Sequence, residues 1–232
     1  MYKTFEMKEI GYVKSDFPEK FGIPRQSGLV KELKAQVIFE PEFSDYNAFK
    51  GLEGFSHIWI LWEFSKALRE NWSPTVRPPR LGGNKHMGVF ATRSPFRPNP
   101  IGLSCVRLEK IEQDKKLGTV LHISGADLLD GTPIFDIKPY IPYADSYPEA
   151  LGGFTDETPK ATLSVKFEND CDSILEEEKR LGLTGVLSQD PRPAYQNNPD
   201  RIYTMDFGGY EVKFSVNADT LTVKSIKKNG EI

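Results

Sequence analysis

The sequence has 232 residues, of which 27% are charged and 38% hydrophobic, and its formal net charge is −3. This length suits one large domain or a main domain with a small appendage, and the charge balance excludes a global attraction to nucleic acid. No apolar run approaches the roughly 20 residues that cross a bilayer, and the first residues lack a signal-peptide pattern, so we expect a cytoplasmic protein with no membrane partner.

Strands separated by polar turns are predicted in the first part of the chain. Alternating or apolar runs indicate strands at residues 6–14, 35–39 and 55–64. One or two helical turns are predicted at 42–49, with Ser44 as the N-cap. The segment FGIPRQSG places Arg25, Gln26 and Ser27 in an extended loop. This loop is either a binding loop or a surface turn.

A proline-rich loop with two arginines is the most informative stretch. Strands are predicted at 87–92 and 101–111, after a proline-rich extended excursion at 72–83. Between the two strands, three prolines exclude a helix and stiffen the loop that carries Arg93 and Arg97. Such a loop suits an anionic ligand or a carboxylate partner. A structural crossover loop whose arginines form ion pairs fits the same pattern.

Carboxylates follow the next strand, which is predicted at 118–124. Asp127 and Asp130 flank an apolar pair, and Asp136 alternates with Lys138 along a short extended run. Carboxylates in this arrangement fit a general acid–base pair or a magnesium site. Asp130 is equally explained as a turn residue, and Asp136 as the ion-pair partner of Lys138 or an arginine.

The composition changes after Gly153, and the strands become more regular. A helix is predicted at 172–181 with Gly182 beyond its end, and strands at 161–167, 202–207, 210–216 and 220–226. Many short strands without βαβ alternation favour a closed barrel, because closure hides strand edges. The predicted fold is therefore mainly β, with an N-terminal β-barrel at 1–163 and a small C-terminal α+β domain at 164–232.

Metal and nucleotide-binding motifs are absent from the sequence. The two cysteines and three histidines are scattered, without the spacing of a zinc or redox motif, so we predict no metal site. Neither a Walker A sequence nor a Gly-x-Gly-x-x-Gly after a strand occurs, which disfavours a doubly wound nucleotide-binding fold.

Several motifs together resemble the TsaA-like family of bacterial proteins. They are FGIPRQSGL, GLEGFSHIWIL, VRPPRLGGN, GVFATRSPFRPNPIGLS, DLLDGTPIFDIKPYIPYADS and DPRPAY, and they span nearly the whole chain. The similarity is greatest to the tRNA methyltransferases of that family, known as TrmO. The DPRPAY motif is similar to the longer bacterial form, which has a C-terminal domain.

This resemblance implies a β-barrel methyltransferase that uses S-adenosyl-L-methionine and forms a homodimer. The implied reaction is N6-methylation of N6-threonylcarbamoyladenosine at position 37, in the anticodon loop of tRNA. One alternative is a non-catalytic barrel that binds S-adenosylmethionine as a sensor or adaptor. Another is a methyltransferase of the same fold that acts on a different acceptor.

The family's cofactor site, carried onto this sequence, comprises three short segments and two single residues. They are Arg25, Gln26 and Ser27; Ser65 and Lys66; Ser124, Gly125, Ala126 and Asp127; and the single residues Arg93 and Leu103. Two positions depart from the family pattern. Ser27 stands where a proline is common, and Ser65-Lys66 stand where His-Gln occurs in relatives.

The expected roles follow from side-chain chemistry. Asp127 could accept hydrogen bonds from the amine or ribose hydroxyls of the cofactor. No catalytic base is assigned: Asp127 is the first candidate, and Asp130 and Asp136 are the others. Arg93 could bind the methionine carboxylate, and Leu103 would supply apolar contact. RNA contacts are expected from cationic and aromatic side chains near the pocket. The candidates are Arg77, Arg80, Arg97, Lys138, Arg192 and Tyr195.

Overall fold

The computed structural model of the chain describes residues 3–78, 81, 84–156, 162–192, 196 and 198–230. Within these residues the strands are β1 (Gly11–Lys14), β2 (Lys34–Phe39), β3 (His57–Glu63), β4 (Thr75–Val76), β5 (Met87–Gly88), β6 (Ile101–Asp114), β7 (Gly118–Ser124), β8 (Thr132–Pro139), β9 (Ser164–Phe167), β10 (Tyr203–Phe207), β11 (Tyr210–Asn217) and β12 (Thr220–Lys228). The α-helices are α1 (Pro142–Asp145) and α2 (Glu177–Ser188). Short 3₁₀ segments lie at Pro41–Phe43, Tyr46–Phe49, Leu52–Gly54, Val89–Ala91, Gly153–Thr155 and Glu168–Ile174.

Six strands close into an antiparallel barrel in the order β1-β2-β7-β6-β3-β8, with β8 pairing back to β1. Alternation along the strands decides which side chains fill it. On β3, for example, Ile58, Ile60 and Trp62 are buried, while the residues between them are half-exposed on the outer face. The predicted barrel is confirmed, and β3 faces its core on one side only.

A four-stranded sheet follows the barrel in the order β10-β11-β12-β9, and β9 runs parallel to β12. Gly208 and Gly209 form a two-residue hairpin turn between β10 and β11, since Phe207 pairs with Tyr210 and both glycines have positive φ. Helix α2 packs on this sheet, where Leu183 and Leu187 are fully buried. The same core includes three residues from the beginning of the chain, namely Phe17, Val30 and Leu33.

The predicted helix at 172–181 was wrong in its position. The chain forms a kinked 3₁₀ run at Glu168–Ile174, and the α-helix begins only at Glu177. Gly182 does not end this helix but lies buried inside it, where an added Cβ would be 3.4 Å from Leu33 and 3.6 Å from Phe207. The glycine therefore permits close packing instead of capping. No helix in the described part of the chain is long and apolar enough to span a membrane.

Three other local predictions needed correction. The first strand covers only Gly11–Lys14 of the predicted 6–14. The predicted strand at 87–92 is a two-residue strand followed by the 3₁₀ turn Val89–Ala91. Ser44 is not an N-cap: the side chain of Asp45 caps the Tyr46–Phe49 turn by accepting from the N–H of Asn47.

Candidate functional site

The barrel wall opens between β6 and the residues that follow β7. These two strands pair from Arg107–Ser124 to Asp114–Gly118. Beyond Ser124 the chain turns away at Gly125, which has a φ of 76°. The first half of β6 pairs with β3 on one side only, and within the described residues no strand pairs with its other edge. This open edge is the geometric centre of the candidate site.

The loop that carries Arg25, Gln26 and Ser27 lies across the open edge. The N–H of Gly28 donates to the carbonyl of Gly125 at 2.8 Å, and an added Cβ on Gly125 would be 3.4 Å from the Cα of Gly28. The hydroxyl of Ser27 accepts from the N–H of Cys105 at 3.2 Å. Ser27, which stands where a proline is common in the family, thus forms a side-chain hydrogen bond to β6 that a proline could not form.

Asp127 lies beside this edge at the end of a hydrogen-bond chain that begins inside the barrel. The indole N–H of Trp62 donates to the hydroxyl of Ser104 at 3.0 Å, and that hydroxyl donates to Oδ1 of Asp127 at 2.6 Å. Burial raises the pKa of Asp127, while the hydrogen bonds from Ser104 and the backbone of Ser27 and the charge of Arg93 lower it. Burial is the largest of these effects, so the carboxylate is a stronger base than an exposed aspartate.

Sequence reasoning missed Trp62 and Ser104. Ser104 is 1% exposed and occupies an inward position of β6 between Gly102 and Val106. A hydroxyl at a buried position of an alternating strand requires a hydrogen-bond partner. That requirement could have indicated a partner for Ser104 among the aspartates that follow β7.

Arg93 extends from the proline-rich loop to the loop across the open edge. Its guanidinium donates to Oε1 of Gln26, whose amide in turn donates to the carbonyl of Arg25 at 2.5 Å. Arg97 instead folds back onto its own loop and donates to the carbonyl of Thr92 at 3.4 Å. Arg93 therefore joins the candidate site, and Arg97 shapes the loop.

Leu103 lies on the open edge, and the Ser65–Lys66 turn lies beside the beginning of β6. Because the N–H of Cys105 points into the opening, the N–H and C=O of Leu103, two residues earlier, point to the same side. Its side chain is 51% exposed on the outer face. Ser65 and Lys66 lie just after β3, where the N–H of Phe64 donates to the carbonyl of Pro100 at 3.0 Å, next to the beginning of β6.

Ser124 and Ala126 point away from the candidate site. The hydroxyl of Ser124 donates to Glu109 at 2.5 Å, and Glu109 also binds Lys34 at 3.1 Å. This network lines a groove between the barrel and α2 that contains charges of both signs but not Asp127. Ala126 is 4% exposed in the barrel core. Of the predicted segment 124–127, the backbone of Gly125 and the side chain of Asp127 face the open edge.

The two other aspartates are held apart from the open edge. Oδ1 of Asp130 accepts from the N–H of Ser15 at 2.9 Å, which fixes a turn between β1 and the residues after β7. Asp136 forms an ion pair with Lys138 at 2.8 Å on the surface. Asp130 and Asp136 are therefore explained by a turn and by an ion pair. Of the three aspartates, only Asp127 lies beside Ser104.

The cationic candidates for RNA contact are dispersed. Nε of Arg77 donates to Nε2 of His86 at 3.0 Å, and its side chain is exposed. Arg192 is only 8% exposed, and Asp190 binds its guanidinium through two contacts at 2.8 and 2.9 Å, so it does not present its charge to solvent. Arg80 and Tyr195 lie outside the described residues. In the described ranges, no group of three or more His, Cys, Asp or Glu side chains is arranged to hold a metal ion.

Comparison with protein families decides the relationship of the chain. The tRNA-methyltransferase O N-terminal domain matches residues 12–146, and the TrmO C-terminal domain matches residues 160–229. The chain belongs to the TrmO family. The family predicted from the sequence motifs is thereby confirmed.

Relatives of the TrmO family resemble the chain over nearly its whole length. The tRNA (adenine(37)-N6)-methyltransferase of Escherichia coli (strain K12) is 42% identical over 221 residues, which cover 92% of this chain and 94% of that protein. A Pseudomonas aeruginosa protein, RcsF, named as an S-adenosylmethionine-dependent methyltransferase, is 44% identical and covers 86% of this chain and 87% of its own. A crystal structure of TrmO from Pseudomonas aeruginosa superimposes with a TM-score of 0.81 at 34% identity, covering 99% of both chains.

Proposed function

We propose that this TrmO family member is an S-adenosylmethionine-dependent tRNA methyltransferase that methylates N6 of adenine 37. The acceptor we propose is N6-threonylcarbamoyladenosine in the anticodon loop. The observation that carries the proposal is the half-buried carboxylate of Asp127, fixed by Ser104 at the open edge of the barrel. Two proteins named for that activity cover 92% and 74% of the chain.

The residues around the open edge fit S-adenosylmethionine chemically. The carboxylate of Asp127 suits an ammonium group or ribose hydroxyls, and the guanidinium of Arg93 suits a carboxylate. The main-chain N–H and C=O of Leu103 suit the hydrogen-bonding edge of adenine. An added Cβ on Gly28 would meet nothing within 4 Å, so a ligand has room against bare backbone there. We propose that these groups hold the cofactor, together with Gln26 and the Ser65–Lys66 turn.

The protein's own contribution to the reaction is positioning and proton acceptance. When bound, S-adenosylmethionine supplies an electrophilic methyl group on a sulfonium centre. The acceptor nitrogen is a weak nucleophile because it is bonded to a carbamoyl group, and it carries a proton that must leave. Asp127 can accept that proton, since burial raises the pKa of its carboxyl group. Trp62 and Ser104 fix the orientation of this carboxylate, since Ser104 engages its Oδ1.

The Ser104→Ala variant tests this positioning role. Removing the hydroxyl removes a hydrogen bond that lowers the pKa of Asp127, so we expect that pKa to rise further. The acid limb of the kcat profile should then move to higher pH, and kcat at neutral pH should fall about tenfold. A loss of stability without any change in the pH profile would reduce Ser104 to a structural residue. Stability should also fall, by about 1–3 kcal/mol, because the indole N–H of Trp62 loses its acceptor.

Incubation with methyl-labelled cofactor and threonylcarbamoylated tRNA tests the function directly. Label should enter that tRNA and not the same tRNA lacking the threonylcarbamoyl group. Cofactor binding without transfer to any RNA would favour the sensor or adaptor barrel. Transfer to another acceptor would support a methyltransferase of the same fold with a different substrate.

We propose further that the protein is a cytoplasmic homodimer that needs no metal. The barrel, residues 1–163, would carry the cofactor, and residues 164–232 would support the barrel. The half-exposed side chain of Leu103 on the outer face of β6 is an apolar contact point that a second copy could cover. Light scattering should report twice the monomer mass, and addition of a chelator should leave methylation unchanged.

A further inference from the structure

Positive charge is concentrated in one segment of an otherwise acidic chain. Residues 65–100 contain seven lysines and arginines and one glutamate, which gives this segment a net charge of +6. The remaining residues therefore carry −9, since the whole chain carries −3. A polyanion approaching the protein would be attracted to this segment and repelled by the net negative charge of the other residues.

Two exposed aromatic rings are stacked on the same segment. Trp72 is 50% exposed and Phe90 is 72% exposed, and their ring centroids lie 6.2 Å apart at an interplanar angle of 26°. The short β4–β5 ladder holds the two chain segments together, and the N–H of Val89 donates to the carbonyl of Pro74 at 3.0 Å. Backbone hydrogen bonds therefore fix the positions of the segments that carry the two rings, while the rings themselves remain exposed.

Two arginines lie in the same chain segment as Trp72, one before it and one after it. The guanidinium carbon of Arg69 lies 3.5 Å from the centroid of the Phe96 ring. Arg77, just after β4, is oriented by its hydrogen bond to His86, just before β5. The N–H of Ser73, next to Trp72, donates to the carbonyl of Phe96 at 3.1 Å, so these groups share one surface.

This surface adjoins the candidate cofactor site. Phe90 precedes Arg93 by three residues, and Arg93 contacts Gln26 in the loop that lies across the open edge of β6. A nucleotide held on the aromatic pair would thus lie within one short loop of the proposed site. Bases stack on exposed aromatic rings without regard to their identity, and arginines beside them bind the phosphates.

We infer that Trp72 and Phe90 form a stacking platform for an unpaired nucleotide of the substrate tRNA, with Arg69 and Arg77 binding the adjacent phosphates. This inference rests on the proposed function, because it takes tRNA as the substrate. Charge favours RNA over a second copy of the chain, since two copies of a +6 segment would repel each other across a shared face.

The variants Trp72→Ala and Phe90→Ala test the platform through tRNA affinity. Each should weaken the binding of threonylcarbamoylated tRNA about tenfold, and KM for tRNA should rise with little change in kcat. Trp72→Phe should retain most of the affinity, because it keeps an aromatic ring. Tyr46→Ala is the matched control: Tyr46 is 48% exposed, lies two residues from Ser44, whose carbonyl accepts from the N–H of Thr119 at the end of β7 away from the open edge, and should have no effect.

The salt dependence separates stacking from charge. Arg77→Ala should decrease the slope of log affinity against log salt concentration by about one unit, whereas Trp72→Ala should leave the slope unchanged. Unchanged tRNA affinity in both aromatic variants would overturn the inference. It would also be overturned if these variants dissociated a dimer, as measured by light scattering, since the rings would then lie at a subunit contact.

The inference and the proposed function fail in different ways. Absence of methyl transfer by the wild-type protein would contradict the function, whatever the platform variants do. Normal transfer by the wild type, with full tRNA affinity in the platform variants, would contradict the inference alone. Cofactor affinity, measured by calorimetry, should be the same in Trp72→Ala and the wild type, because the rings are not among the proposed cofactor contacts.

Discussion

The Asp127→Asn variant is expected to lose methyl transfer at least about a hundredfold, the usual lower range for a positioned proton acceptor. The substitution conserves shape, and its amide oxygen can still accept from the hydroxyl of Ser104. What it removes is the negative charge and the ability to take a proton at the open edge of β6. Single-turnover measurements with labelled cofactor would give the loss without a contribution from product release.

The same variant is expected to be as stable as the wild type or more stable. Burial raises the pKa of Asp127 in the folded protein, so the native state holds this proton to higher pH than the unfolded chain does. The group's contribution to stability therefore falls as pH rises from about 3.9 through the folded pKa, and remains low above it. Asparagine does not ionise, so the stability difference in favour of Asp127→Asn should grow over that window and then level off. Denaturant titrations at several pH values measure this.

Two other aspartates provide matched controls for Asp127. Asp130→Asn should retain activity, because an amide oxygen can still accept from the N–H of Ser15. Asp136→Asn loses an exposed ion pair with Lys138, which is worth little, and should also retain activity. If either control lost as much activity as Asp127→Asn, the assignment of Asp127 as the proton acceptor would be wrong.

The Gly102→Ala variant is expected to destabilise the protein by about 3 kcal/mol, the upper part of the range for overpacking a core. An added Cβ would be 2.2 Å from the indole ring of Trp62, which is itself only 8% exposed. The lower backbone entropy of alanine in the unfolded chain would offset less than about 1 kcal/mol of this. Displacement of the indole would also remove the hydrogen bond to Ser104, so activity should fall with stability.

A double-mutant cycle separates the two effects of Gly102→Ala. Adding Trp62→Phe makes room for the new methyl group and should restore part of the stability, but phenylalanine has no N–H for Ser104, so the loss of activity should remain. Gly54→Ala is the control, because its Cβ would meet nothing within 4 Å; its stability should change by less than about 0.5 kcal/mol. Strict additivity in the Gly102 cycle would contradict the steric explanation.

How much of the fold could be predicted from the sequence depended on the range of the interactions involved. The barrel strands β2, β3 and β7 were predicted because alternating or apolar runs are local patterns. Helix α2 was predicted too early in the chain because Gly182, taken alone, resembles the residue after a helix end. The glycine is instead explained by its packing against Leu33 and Phe207. Those contacts connect parts of the chain that no local pattern relates.

At the candidate site, too, local motifs were predictable and contacts between distant residues were not. Motifs indicated Arg93, Gln26 and Asp127, and the structure places these residues around one open edge. The sequence contained no sign that Ser124 would face Glu109, on the other side of the wall from Asp127. Strand pairing determines which way each side chain of β7 and its continuation points, and the pairing ends at Ser124. Trp62 and Ser104 were missed because their importance depends on two neighbouring strands being in register.

The shared core of Phe17, Val30 and Leu33 has a consequence for local unfolding. The segment 15–33 leaves the barrel after β1, packs into the C-terminal sheet, and returns to the barrel at β2, carrying Arg25, Gln26 and Ser27 between its buried ends. Opening of the C-terminal sheet would free both ends of this segment at once. Amides of β11 and of residues 26–28 should therefore exchange with deuterium as one cooperative unit, so that damage to the far sheet appears as disorder at the proposed cofactor loop.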